Sequence, residues 1–394
     1  MKYKILIVVL LIFLINVGCS KSDTLTIEEK VEDFEQLYNE IKEGYPFLEV
    51  NKRQNKKDWI AKKDSFKKRV MSTTSDQDFA NELDAILQEL NNNHTELINN
   101  KEYFDMTKEV YKPIGWYDFF EDKDVNDMYN ILENGQGYGS ESYEDIELKD
   151  LVQDKIGYMY IPQMNSANKS IENDMKRINL YLKKIQDYQS LIIDIRGNTG
   201  GTDEYWMDLV SLLTDKDYKC KGYRLFRNNS DVINNYTKKR NINLNDISKL
   251  PKELVKNAPK EVENMFTDFE YNQVVVEGKS NTPFKGKIYL LVDDMVFSGA
   301  ESFAIFCKEQ DFATIIGCKT GGDGYVYDPV LFKLENSGLI ARMSSSMYLT
   351  DSGICDEEDK VTPDIYVEYT MKNNIPELDD CINKVLELEK INYS

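Results

Sequence analysis

Residues 287–309 read KIYLLVDDMVFSGAESFAIFCKE, and this stretch decides how the rest of the chain is read. Its first five residues form a short apolar run of the type that suits a buried strand. After a turn comes Ser298. Ala300, Phe303, Ala304 and Cys307 then fall at i, i+3, i+4 and i+7, one face of a helix. Ser298 therefore stands where a strand hands over to a helix N-terminus. Backbone N–H groups are unpaired there, and the helix dipole favours negative charge. Two readings follow. Ser298 is an N-cap, the commoner role for a serine before a helix, or a nucleophile whose oxyanion forms beside free N–H groups.

Working outward, the preceding segment has the same rhythm. Residues 156–161 (IGYMYI) alternate like a strand, 168–188 carry a helical face, and 191–195 (LIIDI) form a buried strand. Arg196-Gly197-Asn198-Thr199-Gly200-Gly201 follows, then a helix expected over 203–213. Strand, helix, strand, glycine turn and helix predict a largely parallel sheet covered by helices. The glycine turn lacks the lysine of a phosphate loop and the GxGxxG spacing of a dinucleotide site. It is either a tight strand–helix turn or a place where backbone N–H groups approach a ligand. Residues 219–286 look like an insertion, polar and Asn-rich at first and then helical. Beyond the Ser298 helix come a strand over 313–317 and a glycine loop, Thr320-Gly321-Gly322-Asp323-Gly324. A strand over 339–347, an acidic loop over 349–360, a last strand over 361–367 and a final helix over 377–388 complete the chain.

The front is different. Residues 27–95 are charged and helical in period, with apolar positions at Phe34, Leu37, Ile41, Phe79, Leu83 and Leu87. They predict a helical N-terminal domain that ends in Asn91-Asn92-Asn93-His94-Thr95. His94 is the only histidine in the 394 residues. A lone loop histidine is usually a surface residue, but an enzyme that needs an imidazole has only this one. Residues 96–154 predict a connecting segment or a small sheet.

The first residues set the compartment. Lys2 and Lys4 precede an apolar run over 5–15, then Gly18-Cys19. This predicts a secretory leader over 1–18, too short for a comfortable membrane span. The small residue before Cys19 resembles a bacterial lipoprotein cleavage site, which would make Cys19 the lipidated N-terminus and 19–26 a tether. An ordinary signal peptide or an uncleaved anchor is the alternative. Formal charge is −20, which argues against a nucleic-acid partner, because phosphates need a basic face. The other cysteines, Cys220, Cys307, Cys318, Cys355 and Cys381, form no CxxC pair and have no partnering histidines, so no zinc site is expected. An exported chain could pair some of them, but an odd number leaves one free.

Four pieces in order carry a resemblance: Asn93-His94-Thr95, LIIDIRGNTGG over 191–201, VDDMVFSGAESFA over 292–304, and IIGCKTGG over 315–322 followed by EEDKVTPDI over 357–365. Together they resemble the C-terminal processing (tail-specific) serine peptidase family, which includes the tricorn core protease. The resemblance covers residues 28–370. It implies an α+β or α/β fold with a ClpP/crotonase-like core over 155–370, a helical front domain and a C-terminal helix over 371–394. The family has two catalytic arrangements. In the Ser–Lys arrangement the lysine lies in the glycine loop, where this chain has Asp323, which cannot serve as that base. The tricorn-like arrangement uses a front-domain histidine, the serine and a glutamate before the PD strand. His94, Ser298 and Glu357 stand at the matching places, with Glu358 adjacent to Glu357.

The resemblance thus implies an exported serine peptidase acting on peptides or protein tails. Ser298 would attack, His94 would be the base, Glu357 would be a polar or acidic partner in the proton path, and Asp323 would contribute little. Gly299 with Gly200 or Gly201 would hold the oxyanion. Asp194 and Arg196 would fix the glycine turn, and Glu301 would steady its helix. No metal or cofactor is required. A peptide- or hydrophobic-ligand-binding protein on the same fold is the alternative.

Overall fold

A computed structural model describes residues 24–132, 144–166, 170–281, 283–372, 375 and 378–391. The expected leader and Cys19 lie outside these residues. Among the described residues no helix is long and apolar enough to cross a membrane.

Thr26 starts the first helix, Ile27–Gly44, with a reciprocal cap. Its hydroxyl accepts from the Glu29 N–H, and the Glu29 carboxylate accepts from the Thr26 N–H. The Leu25 N–H already donates to Asp76 Oδ1 at 3.0 Å. The folded part therefore begins inside the segment expected to be a tether. Helices Leu48–Asn55, Lys63–Met71 and Asp76–Gln88 follow, and Ser75 caps the last of them. Phe34, Trp59, Phe66, Phe79 and Leu83 are buried where these helices meet.

Three sheets organise the strands. The central one has six strands. Parallel β3 (Ile156–Tyr160), β4 (Ser190–Asp194), β8 (Lys287–Val292), β9 (Thr314–Gly317) and β13 (Ile365–Tyr366) run in the order β13-β9-β8-β4-β3, and antiparallel β2 (Glu147–Val152) closes the β3 edge. Strands β4 and β8 are buried nearly throughout, as parallel strands covered on both faces must be. Helices Ile171–Lys184, Asp203–Leu213 and Gly299–Glu309 cover one face, and Asp380–Leu388 packs on the other. The mostly parallel core agrees with the sequence reading.

The second sheet pairs β1 (Glu96–Ile98) with β11 (Ile340–Met343) and β10 (Val330–Lys333). It joins the end of the helical front to residues more than 240 positions later. The third sheet, β12-β5-β7-β6, is built from β5 (Tyr218–Phe226), β6 (Asn245–Asp246), β7 (Asp268–Val276) and β12 (Met347–Thr350). The segment over 219–286 is thus framed by two nine-residue strands in antiparallel register from Tyr218↔Val276 to Phe226↔Asp268. Inside it the polar stretch forms helix Asp231–Lys239, and the later stretch read as helical holds two single turns, Lys252–Val255 and Val262–Met265. The single strand expected over 339–347 is two strands in different sheets, β11 and β12, with Ser344-Ser345-Ser346 between them. Residues 96–132 are mostly helical, with helices Lys101–Tyr111 and Lys123–Ile131. The front helices share one apolar cluster with Phe226, Leu331, Ile340 and Met347, so the front is packed onto the core rather than tethered to it.

Candidate active site

Strands β4 and β8 are parallel neighbours, and each ends in a turn at its carboxyl end. That is where open α/β sheets place ligands. After β4 the chain enters the glycine turn. After β8 it enters 293–297 and then Ser298. The Gly321 N–H donates to the Val296 carbonyl at 2.7 Å, and the Ser298 N–H donates to the Gly322 carbonyl at 3.1 Å. The second glycine loop is thereby fastened to the turn that carries Ser298.

Ser298 has φ 57° and ψ −122°, which no side chain adopts without cost. Ser298 makes no side-chain cap bond. Its Oγ lies 3.1 Å from His94 Nε2. The N-cap reading of this serine is thereby replaced by a contact across 204 residues.

His94 is buried, 7% exposed. Its ring packs on Phe297 with centroids 4.6 Å apart. The turn that carries it is closed by Asn92, whose Oδ1 accepts the His94 N–H and the Thr95 hydroxyl, each at 3.0 Å. His94 Nδ1 lies 2.7 Å from Asp323 Oδ2. The acidic partner of the histidine is therefore Asp323, not Glu357. The reason is the path of the glycine loop. Gly322 at φ 102° and Asp323 at φ 56° fold the chain back so that the aspartate points to the front domain. A side chain at 322 is strained by the φ of 102°, and its Cβ, 2.6 Å from Glu357 Oε2, would also push that carboxylate aside.

Glu357 is one step removed. Its Oε1 accepts from Asn92 Nδ2 at 3.2 Å, and the same Nδ2 donates to Asp323 Oδ2 at 3.0 Å. Burial, with Asp323 nearby, holds the Glu357 carboxyl well above the usual carboxylate range. Its neighbour Asp356 accepts the Gly324 N–H at 2.8 Å. Burial and the proximity of Asp323 push the Asp356 carboxyl up to about 7 despite that bond. Glu358 points elsewhere. It receives Arg53 at 2.7 and 2.6 Å, and Arg53 also makes a two-bond pair with Glu261, each bond 2.8 Å. Arg53 thus links the front helices, the 219–286 segment and the loop that carries Glu357.

Glu301 does more than steady its helix. Its Oε1 accepts the Thr320 hydroxyl at 2.6 Å and the Val361 N–H at 3.1 Å, which ties the two loops around the site together. Burial, followed by the charge of Asp356, raises its carboxyl well above the ordinary value.

The glycine turn is held by Arg196, which binds both oxygens of Asp194 (2.9 and 2.6 Å) and of Asp379 (3.0 and 2.8 Å). Asn198 Oδ1 accepts the Gly200 N–H at 2.9 Å. The Gly200 carbonyl accepts the Met164 N–H at 2.7 Å. Because a trans peptide sets N–H opposite C=O, the Gly201 N–H points away from Met164. Gly200 packs directly under the serine; a Cβ there would lie 2.7 Å from Ser298 Cβ. Gly299 is the first helical residue after Ser298, so its N–H has no acceptor within its own helix.

Ser298, His94 and Asp323 thus form a chain of contacts, flanked by Gly299 and the Gly200-Gly201 turn. Asp323 is the residue that the sequence reading set aside. The signal for it was its place in a glycine loop one strand after the serine.

Comparison with known proteins places the fold that carries these residues. The sequence profile described as Peptidase family S41 matches residues 155–367. That span holds Ser298, Asp323, Glu357 and the glycine turn but not His94. A curated protein of Chlamydia trachomatis serovar D is 24% identical over 208 residues, 46% of this chain. The match covers 35% of that protein, so the chain spans about a third of the relative's length. Among solved structures, a candidate peptidase from Parabacteroides merdae superposes with a TM-score of 0.59 at 19% identity, covering 93% of this chain and 98% of the other. Mature CPAF superposes with a TM-score of 0.55 at 12% identity, covering 86% and 92%. At these identities the likeness is one of fold.

Proposed function

This chain belongs to peptidase family S41, and from that premise we propose that it hydrolyses peptide bonds through an acyl-enzyme on Ser298. The observation that carries the reading is the relay from Ser298 Oγ to His94 Nε2 at 3.1 Å and from His94 Nδ1 to Asp323 Oδ2 at 2.7 Å. In this reading Ser298 Oγ attacks the scissile carbonyl, and His94 Nε2 takes its proton and returns it to the leaving amine. Asp323 holds the Nδ1–H tautomer and balances the imidazolium that forms. The N–H groups of Gly299 and Gly201 receive the oxyanion. Gly200 is less suited, because its N–H is already donated to Asn198.

The substrate class is a peptide or an exposed protein tail, and the setting is extracytoplasmic, with Cys19 as a lipid anchor. A fluorophosphonate probe tests the chemistry. Labelling of Ser298 that is lost in Ser298→Ala supports a peptidase. A folded protein that takes no label overturns it and favours a binding protein on the same fold. The anchor is tested separately. Cys19→Ala protein should leave the membrane fraction, and firm retention with an unchanged mass would refute lipidation.

A further inference from the structure

Asn92 uses its whole side chain. A carboxamide offers two acceptor sites on oxygen and two N–H donors. Oδ1 faces two donors, the His94 N–H and the Thr95 hydroxyl, each at 3.0 Å. Nδ2 faces two carboxyl oxygens, Asp323 Oδ2 at 3.0 Å and Glu357 Oε1 at 3.2 Å. The reversed amide would set donor against donor and acceptor against acceptor, so the orientation follows from the partners. The side chain is buried at 4% exposure.

The oxygen that Asn92 holds on Asp323 is the one that faces His94 Nδ1. One end of the carboxamide fixes the backbone of the histidine. The other end fixes the acid that the imidazole must meet. We propose that Asn92 is a positioning residue that sets Asp323 on His94, with Glu357 as the acceptor for its second N–H. The proposal rests on the Ser298–His94–Asp323 reading above.

Residue chemistry at 92 is restrictive. An aspartate would keep the acceptor for the turn but would put a third acidic group against Asp323 and Glu357. A serine can still accept the His94 N–H and close the turn, as serine does in such motifs, but it does not reach Asp323. The titratable and charged groups around this junction are Asp323, Glu357, Asp356, Tyr45 and Lys360. Glu357 supplies the acceptor for the second Asn92 N–H through Oε1, and burial with Asp323 nearby raises its carboxyl above the usual carboxylate range.

The test uses the single histidine. Protein carrying ring-¹⁵N histidine gives one imidazole, so the proton on His94 Nδ1 is read without ambiguity. Wild type, Asn92→Ala, Asn92→Ser and Asn92→Asp are compared at equal fold, checked by circular dichroism. The expected result is a protected Nδ1–H resonance in wild type that exchanges rapidly in all three variants. Fluorophosphonate labelling and kcat should fall about 10²-fold, the cost of a small misplacement of reacting groups, with KM within about twofold. Asn92→Ser separates the roles. If it keeps the wild-type resonance and labelling rate, Asn92 only closes the turn and the proposal is overturned. A wild type that takes no label defeats the peptidase reading instead, and the resonance then decides the placement of Asp323 alone.

Discussion

Asp323 Oδ2 and His94 Nδ1 are 2.7 Å apart although 229 residues separate them in sequence. The contact joins a glycine loop of the α/β core to the last turn of the helical front. Asp323→Ala should therefore lower kcat/KM by about 10⁴-fold, the scale on which the orienting acid of a serine–histidine pair matters. Asp323→Asn should be nearly as poor, because it favours the wrong tautomer. Steady-state kinetics on one cleavable peptide decide it. A loss under about tenfold in both variants would remove Asp323 from the relay.

The two turn glycines should fail for different reasons. Gly200→Ala places a methyl 2.7 Å from Ser298 Cβ, and Gly201→Ala places one 2.5 Å from the Met164 carbonyl. The first displaces Ser298, and the second turns the proposed oxyanion donor. Each is expected to cost about 10²-fold in kcat. Fluorophosphonate labelling should slow with Gly200→Ala most, and melting temperatures measured beside the kinetics show whether the fold survives. Full turnover in both would reduce this turn to a structural feature.

Stability should fall as pH rises through the range of Asp356. Its carboxyl is raised from 3.8 to about 7 in the folded chain. Between those values the folded state holds a proton that the unfolded state has lost. The stabilisation is complete below about 4 and gone above about 7. Urea denaturation from pH 4 to 8 should show the decline, and Asp356→Asn should flatten it by an amount on the order of a few kcal/mol. Glu301 and Glu357 are shifted in the same direction, so some slope remains. A wild-type protein that grows more stable across this window would contradict the assignment.

Arg53 is expected to couple stability to activity. Its guanidinium pairs with Glu261 and Glu358 from two other segments. It is partly exposed, so Arg53→Met should cost only about 1 kcal/mol of stability. Because the pair braces the loop that carries Glu357, kcat/KM should drop several-fold as well, and high salt should narrow the gap between wild type and variant. Equal salt dependence in the two proteins would count against the brace.

The parallel core was readable because its physics is local. A five-residue apolar run before Ser298 can be little but a buried strand, and the face Ala300, Phe303, Ala304 and Cys307 can be little but a helix. His94 was found by scarcity. Asp323 was missed because its direction depends on two successive positive φ values, at Gly322 and Asp323, which sequence spacing does not report. Glu357 was located by its likeness to the family's glutamate before the PD strand, and such a match cannot tell a direct contact from one relayed through Asn92. Strand β5 was hidden by Arg224, a buried charge on an otherwise alternating face. Its guanidinium is satisfied by Glu270 and the Tyr325 carbonyl, neither near in sequence.

The pairing of β1 with β11 has a consequence for biosynthesis. Ribosomes deliver His94 early, but the strand that follows it has no partner until Ile340–Met343 has been made. Ser298 and Asp323 also emerge late. In a growing or still-unfolded chain Ser298, His94 and Asp323 therefore stand apart, and they meet only once the second sheet can close.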